Sequence, residues 1–567
     1  MLSPQFCSIN DALQQRSSSP RGITFVDFDG DRETWTWGKL AEIARSCAGA
    51  WLDLGVRPGD RVGLLGSTTP DFVACVFGAW AAGAVAVPLA VPMRLSDPGA
   101  LVDEVRSRAD KARLSALALD PRFAAFPDLL TLGPPTATFE DVRAAGRDVD
   151  FAQQQTDDPA LIQFTSGSTA RPKGVVLSQG CLMRNAESGG RQVDFGPEDV
   201  AVSWLPLFHD FGLIGLTLWP LYWDMSAYLI APEVFISSPK IWIETLSRAG
   251  GTITAAPNFA YGLATRVLRN AETTYDLSRL RVAANGAEPV DAKTMEELAA
   301  VGARHGLRPE ALLPVYGLAE ATLGVAAPRP GAARAARWAD AEALAEKSVA
   351  VEVPAGTPGA RPLVSVGYPV LGCEIEIRSE TGEKVPDGHV GEVCVRSESA
   401  MVGYFEDPEE TDKVLQDGWI KTGDLGLWGP DGLVITGRLK DMIIVGGRNL
   451  YPEDAERAAN NVPGVRRGNA VAFGILERAR EGLVVIAETR LHGEEAARLA
   501  RQVATEVRHA MRVAADQVVL LAPGSLPKTP SGKLQRRLTR RLHETGELLH
   551  NAVATAGRAL GKTEAAR

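Results

Sequence analysis

Residues 161–176, LIQFTSGSTARPKGVV, join an apolar run to a loop of hydroxyls and glycine, then to a Pro-Lys-Gly turn. Thr165, Ser166, Ser168 and Thr169 offer hydroxyl donors beside the backbone N–H groups, and Lys173 adds a cation. Gly167 lets the backbone approach a ligand closely. Many donors and a positive charge on one loop suit a polyphosphate. The spacing differs from the Gly-x4-Gly-Lys-Ser/Thr loop of Walker nucleotide sites. Alone, the segment reads better as a solvated Ser/Thr/Gly loop.

Five further segments set polar groups in apolar surroundings. WLPLFHD (204–210) places His209 beside aromatics, where a lone histidine is more often structural than catalytic. NGAEP (285–289) follows a strand directly, the position at which ligands bind in open α/β sheets. YGLAE (316–320) offers an aromatic face for a base and a carboxylate for a divalent cation; a helix start with an N-terminal acid is its plain alternative. KTGDL (421–425) presents Asp424 to ribose hydroxyls, as acids do in other nucleotide sites. LPKTPSGK (526–533) is a turn that presents Lys533.

The elements that must hold these loops follow from apolar patterning. Short apolar runs at 61–65, 85–89, 200–204, 227–231, 252–255 and 280–284 alternate with helical patterns, which predicts parallel sheets covered by helices. The uncharged window 72–93 is long enough to suggest a membrane span. Its alanines, glycines and Pro88 and Pro92 favour a buried helix (71–82) followed by a buried strand (85–89). Residues 363–436 are β-rich, and 326–354, rich in Ala, Arg and Pro, read as an insertion or flexible excursion. Beyond a boundary at 437–441 comes a small α+β segment: strand 442–445, helix 452–460, strands 470–473 and 482–489, and helix 494–513. The expected fold is therefore α/β, with a large N-terminal domain (1–438, β-rich subdomain 363–436) and a small mobile α+β domain (439–567).

At 567 residues the chain exceeds one compact core. Its net charge of -10 disfavours a general nucleic-acid binder. The six cysteines are scattered without a C-x-x-C pair, which points to a reducing, cytoplasmic setting rather than a disulfide scaffold or a zinc site. The opening residues lack the pattern of a secretory signal.

In order and spacing, FTSGSTARPKG, YGLAE, KTGDLG, GRLKDMI and PKTPSGK resemble the successive motifs of the adenylate-forming superfamily of acyl-CoA synthetases, adenylation domains and luciferases. The resemblance implies ATP and Mg²⁺. It implies Lys533 as the lysine that bridges carboxylate and phosphate, Glu320 as the metal ligand with Thr165 as a second contact, and Lys440 as the hinge. It lines Gly286, Ala287, Glu288, Tyr316 and Gly317 along the adenine pocket, assigns Asp424 and Arg438 to ribose and phosphate, and makes 165–169 with Lys173 the phosphate loop. His209 falls near the acyl carboxylate. Ala170 departs from the glycine of many relatives.

SWLPLFHDFGLIG, PNFAYGLATRV, GRNLYPEDAE and SGKLQRR resemble the fatty acyl-AMP ligase branch, and the excursion 326–363 occupies the place of that branch's insertion. The implied reaction activates a fatty acid to acyl-AMP and passes the acyl group to an acyl carrier protein. Val445-Gly446-Gly447 resembles the glycine pair of CoA-using relatives, which keeps an acyl-CoA product open. An amino-acid-activating domain is a third option, disfavoured because His209 stands where such domains carry an aspartate.

Overall fold

The computed structural model of the protein describes residues 2–91, 98–165, 173–331, 336–445, 448–477, 480–529 and 532–557. The chain packs as two compact units. The first comprises Met1–Arg334, Val366–Ile375 and Cys394–Lys421, and the second Ala335–Ser365, Glu376–Val393 and Thr422–Arg567. This division and a boundary at 438/439 differ in where they put 335–365, 376–393 and 422–438.

Two seven-stranded sheets organise the first unit. One runs Leu312–Pro314, Val282–Asn285, Ile253–Ala256, Val200–Ser203, Ser226–Ile230, Gly22–Asp27 and Gly30–Thr36. All its neighbours pair in parallel except the last, a hairpin. Such strands are buried on both faces and so read as continuous apolar runs. The other sheet runs Gly403–Tyr404, Gly174–Ser178, Pro159–Phe164, Val85–Leu89, Arg61–Leu65, Ala116–Leu119 and Thr136–Thr138. Here the strands on either side of residues 165–173 pair antiparallel, Phe164 opposite Gly174, and Tyr404 lies opposite Val175 on the edge strand.

The uncharged window resolves into helix Pro70–Ala81 and strand Val85–Leu89. Thr69 caps that helix through the Phe72 N–H, and every residue from Phe72 to Ala82 is buried. Among the described residues, no helix is long and apolar enough to cross a membrane.

In the second unit a four-stranded sheet, ordered Val465–Glu477, Arg480–Thr489, Gln517–Leu521 and Ala552–Gly557, carries helices Pro452–Asn460 and Gly493–Met511. Ala455, Ala459, Leu499, Val503 and Val507 close an apolar core against Val485 and Val518. Leu526, Leu548 and Leu542 close a second core against Val484, Ile486 and Val519.

The Ala- and Pro-rich excursion is not loose over 336–363. Strands Arg337–Asp340 and Ala360–Leu363 pair antiparallel around helix Ala341–Lys347, whose N-cap Asp340 accepts from Glu342 N and Ala343 N. Ala339, Leu344 and Leu363 supply the anchor, buried with Leu425, Leu427, Val434 and Tyr451. These few apolar positions fold a segment whose composition suggests disorder.

Candidate active site

Three candidate loops leave the carboxyl ends of one sheet in the first unit: 204–210 after Val200–Ser203, 286–289 after Val282–Asn285, and 315–320 after Leu312–Pro314. Ligands bind at such strand ends in open α/β sheets. The loop 286–289 depends on close packing, because a Cβ on Gly286 would lie 2.8 Å from Val315 Cγ2. Ala287 follows with φ +67°, uncommon for a side-chain-bearing residue. Glu288 Oε1 accepts the Phe259 N–H at 2.7 Å, so one of its oxygens serves the start of helix Asn258–Arg269.

Tyr316 and Gly317 form a two-residue strand against Gly324–Ala327. A Cβ on Gly317 would meet Leu323 O at 1.9 Å, which excludes any other residue without backbone movement. Ala319–Ala321 is one 3₁₀ turn, and Thr322 after it stands at φ 74°, ψ -59°. Leu323 N donates to Ala321 O across it, the γ-turn geometry that L residues adopt only under strain. The Thr322 hydroxyl holds the turn by donating to Ser399 O at 2.6 Å.

This turn presents Glu320. Its backbone carbonyl accepts the Met401 N–H at 2.8 Å, and its Oε1 accepts the Tyr404 hydroxyl at 2.7 Å. Oε2 has no protein partner among the described residues. Those residues contain no cluster of three or more His, Cys, Asp or Glu able to hold a metal ion. A single half-buried carboxylate with one open oxygen nonetheless fits Mg²⁺, which typically takes one or two protein carboxylates and completes its shell with phosphate oxygens and water.

Thr165 N donates to Lys173 O at 3.1 Å, joining the two residues that flank the candidate phosphate loop. Lys173 Nζ lies 2.6 Å from Glu410 Oε2 and 5.0 Å from the centre of the Tyr404 ring. Hydrogen bonds from Lys173 and Lys413 hold the Glu410 carboxyl at about 2. Ser166, Gly167, Ser168 and Thr169, and the pair Gly446-Gly447, lie outside the described residues.

His209 Nδ1 is 2.6 Å from Asp210 Oδ1. The residue precedes a π-helix, Phe211–Leu218, a geometry that recurs at functional sites. Gln163, two positions before Thr165, donates to Phe208 O at 2.7 Å and ties the His209 loop to the other sheet.

The second unit holds the remaining candidates. Asp424 and Arg438 are cross-strand partners, joined Nε to Oδ1 at 2.9 Å. Asp424 is buried while Arg438 reaches solvent. Lys440 sits in a 3₁₀ turn, Leu439–Asp441. Desolvation, then the charges of Arg438 and Arg537, hold its ammonium below the ordinary lysine range against the pull of Asp441 and Asp424. Lys533 caps a tight loop: its N–H donates to Thr529 Oγ1 at 3.0 Å, and its carbonyl accepts Thr529 N at 2.7 Å.

Comparison with known proteins is consistent along the chain. The sequence pattern described as AMP-binding enzyme matches residues 13–405. The chain belongs to the AMP-binding enzyme family. A putative ligase of Mycobacterium tuberculosis is 38% identical over 510 residues, covering 88% of this chain and 93% of that protein. A putative acyl-CoA synthetase of Caulobacter vibrioides is 34% identical, covering 94% of each. The medium-chain-fatty-acid–acyl-carrier-protein ligase JamA of Moorena producens is 32% identical, covering 95% of each. A solved structure from studies of fatty acyl-adenylate ligases of E. coli and L. pneumophila superposes with a TM-score of 0.89 at 30% identity, covering 96% of this chain and 99% of that one.

Within this AMP-binding enzyme, the structure draws Glu320 and Lys173 to one tyrosine and joins Asp424 to Arg438. Sequence reasoning missed Tyr404 and Glu410, which lie in GYFEDPEET, 403–411. The glycine-tyrosine pair and acidic run there were the available signal, and nothing local ties them to a lysine more than 230 positions earlier.

Proposed function

We propose that this enzyme uses ATP to activate a fatty acid as acyl-AMP, releases pyrophosphate, and passes the acyl group to the phosphopantetheine thiol of an acyl carrier protein in the cytoplasm. The observation that carries the nucleotide half of this reading is the Glu320 carboxylate. One oxygen is fixed by Tyr404 and the other has no partner among the described residues, and the same tyrosine ring faces Lys173 beside the candidate phosphate loop. The names of relatives similar over more than nine-tenths of their length support the fatty acid and the carrier protein.

The fatty carboxylate attacks the α-phosphorus of ATP, and the bond to pyrophosphate breaks as the new P–O bond forms. Positioning and electrostatics supply most of the catalysis in such a step. Glu320, with Thr165 as a second contact, would hold Mg²⁺, which would supply positive charge to the phosphates. Residues 165–169 and Lys173 hold the β- and γ-phosphates. Gly286, Ala287, Glu288, Tyr316 and Gly317 flank the adenine, and Asp424 and Arg438 hold the ribose and phosphate. His209 orients the acyl carboxylate. Lys533, carried by a small domain (439–567) that turns about Lys440, bridges carboxylate and α-phosphate as charge develops.

A carrier protein is favoured as acceptor because the insertion is bonded to carboxyl-terminal residues of its own unit. Arg361 pairs with Asp454, Glu346 with Arg448 at 3.3 Å, and Glu342 with Arg512. Ties of this kind oppose the reorientation needed to admit CoA. CoA is the second reading, supported by the 446–447 glycine pair and by the resemblance to a putative acyl-CoA synthetase.

The test is incubation with ATP, Mg²⁺ and mixed fatty acids, with and without CoA, read by mass spectrometry. Acyl-AMP should accumulate in both arms; efficient acyl-CoA formation would decide for the second reading. Lys533→Ala should lower lipid-dependent pyrophosphate release by about 10²–10³-fold with ATP binding retained. Near wild-type turnover would remove Lys533 from the reaction.

A further inference from the structure

We propose that Tyr404 is a positioning residue for adenylation: its hydroxyl sets the orientation of the Glu320 carboxylate, and its ring face seats the Lys173 ammonium. The inference rests on the reading of Glu320 as the carboxylate that meets Mg²⁺.

Four observations converge on this residue. First, the segment 401–404 grips Glu320 twice, by Met401 N to its carbonyl and by the Tyr404 hydroxyl to Oε1. Second, Tyr404 is itself held firmly. Its N–H donates to Thr411 Oγ1 at 2.9 Å, and the flanking Val402 and Phe405 N–H groups bond Val176 O and Gly174 O of the strand leaving the phosphate loop. Third, the side chain is buried, so the bond to Glu320 forms where water competes poorly. Fourth, Lys173 Nζ stands 5.0 Å from the ring centre while Glu410 holds its other side at 2.6 Å, a geometry suited to a cation on an aromatic face.

The consequence is a division of labour at Glu320. Because the phenol occupies Oε1, Oε2 is the oxygen presented to a cation, and its direction is fixed before any ligand arrives. Outer partners of this kind orient metal-binding groups, and their loss typically lowers metal affinity by about 10- to 100-fold. The ring couples that carboxylate to the lysine at the base of the phosphate loop, so one side chain sets the separation of an anion and a cation that face the same triphosphate.

The experiment compares full-length wild type, Tyr404→Phe, Glu320→Gln and the double variant. Mn²⁺ and Mg²⁺ binding is titrated in the presence of the non-cleavable analogue α,β-methylene ATP, by calorimetry and by Mn²⁺ electron paramagnetic resonance. Thermal melting establishes that each variant is folded. Tyr404→Phe keeps the ring under Lys173, so analogue binding without metal should stay within about twofold while metal affinity falls by about 10-fold or more. In the Glu320→Gln background the same change should cost little further, because the carboxylate that the phenol orients is already gone. Tyr404→Leu, which removes the ring as well, should also weaken analogue binding without metal. Wild-type metal affinity in Tyr404→Phe, or independent losses that multiply in the double variant, overturns the inference while Glu320→Gln remains defective. Unchanged metal affinity in Glu320→Gln overturns the reading of Glu320 and this inference with it.

Discussion

Replacement of Arg361 by alanine tests how firmly the insertion is bound within its unit. The Arg361 side chain is 6% exposed and its partner Asp454 is 9% exposed, with Nε to Oδ1 at 3.1 Å. Its Nη2 donates to Thr436 O, and the guanidinium lies 4.2 Å from the centre of the Tyr451 ring. Removing one partner of a buried ion pair costs about 3–5 kcal/mol. Asp454 retains Arg457 at 2.8 Å, but that arginine is more exposed and compensates only in part. Nη1 of Arg361 is buried without a partner among the described residues, so its removal recovers some desolvation. With the ring contact included, we expect a net loss of about 3 kcal/mol. For a unit of this size that lowers the midpoint by about 6–12 °C. Calorimetry of wild type, Arg361→Ala and Arg361→Met reads the effect, the last keeping bulk without charge. The same proteins assayed with CoA should show more thioester in both variants. A midpoint within about 1 °C of wild type in Arg361→Ala would refute the buried-pair argument.

Gly317→Ala should destabilise the protein by about 3 kcal/mol, seen in urea unfolding, because the new Cβ meets a backbone oxygen that cannot swing away. Arg536→Met should have a comparable effect on the second unit, since it leaves Asp441, Glu453 and Glu456, all within 3.0 Å of the guanidinium, without their shared cation. His543 is buried against Phe473 with both ring nitrogens unpartnered among the described residues, and burial lowers its pKa from the ordinary 6.5. The unfolded chain therefore takes up the proton first as pH falls below about 6.5, and folded stability declines over that interval. His543→Leu should lessen the drop in melting temperature between pH 7.5 and 5.5; an unchanged drop would clear His543 of that role.

The helices and parallel strands were legible because burial on both faces writes itself into short apolar runs. Helix Pro452–Asn460 has the bounds that its pattern predicts, and helix Gly493–Met511 lies within two residues of them. The run of hydroxyls after Thr165 is equally plain in the sequence, but residues 166–169 lie outside the described residues. Contacts made by distant residues were not legible. Glu410 meets Lys173 across 237 positions, and Arg361 meets Asp454 through a fold that its Ala- and Pro-rich neighbours do not suggest. The π-helix at 211–218 was hidden too, since an apolar run of that length carries no mark of a widened turn.

The γ-turn at Thr322 has one more implication. A threonine released from its surroundings would relax from φ 74°, so the bend that presents Glu320 is not encoded by its immediate neighbours. It is imposed by Ser399, 77 positions downstream. A fragment that stops short of that serine would carry every letter of YGLAE and still fail to aim its acid. The turn that carries Glu320 is thus completed late in synthesis, when a distant stretch of polypeptide arrives to hold an earlier one.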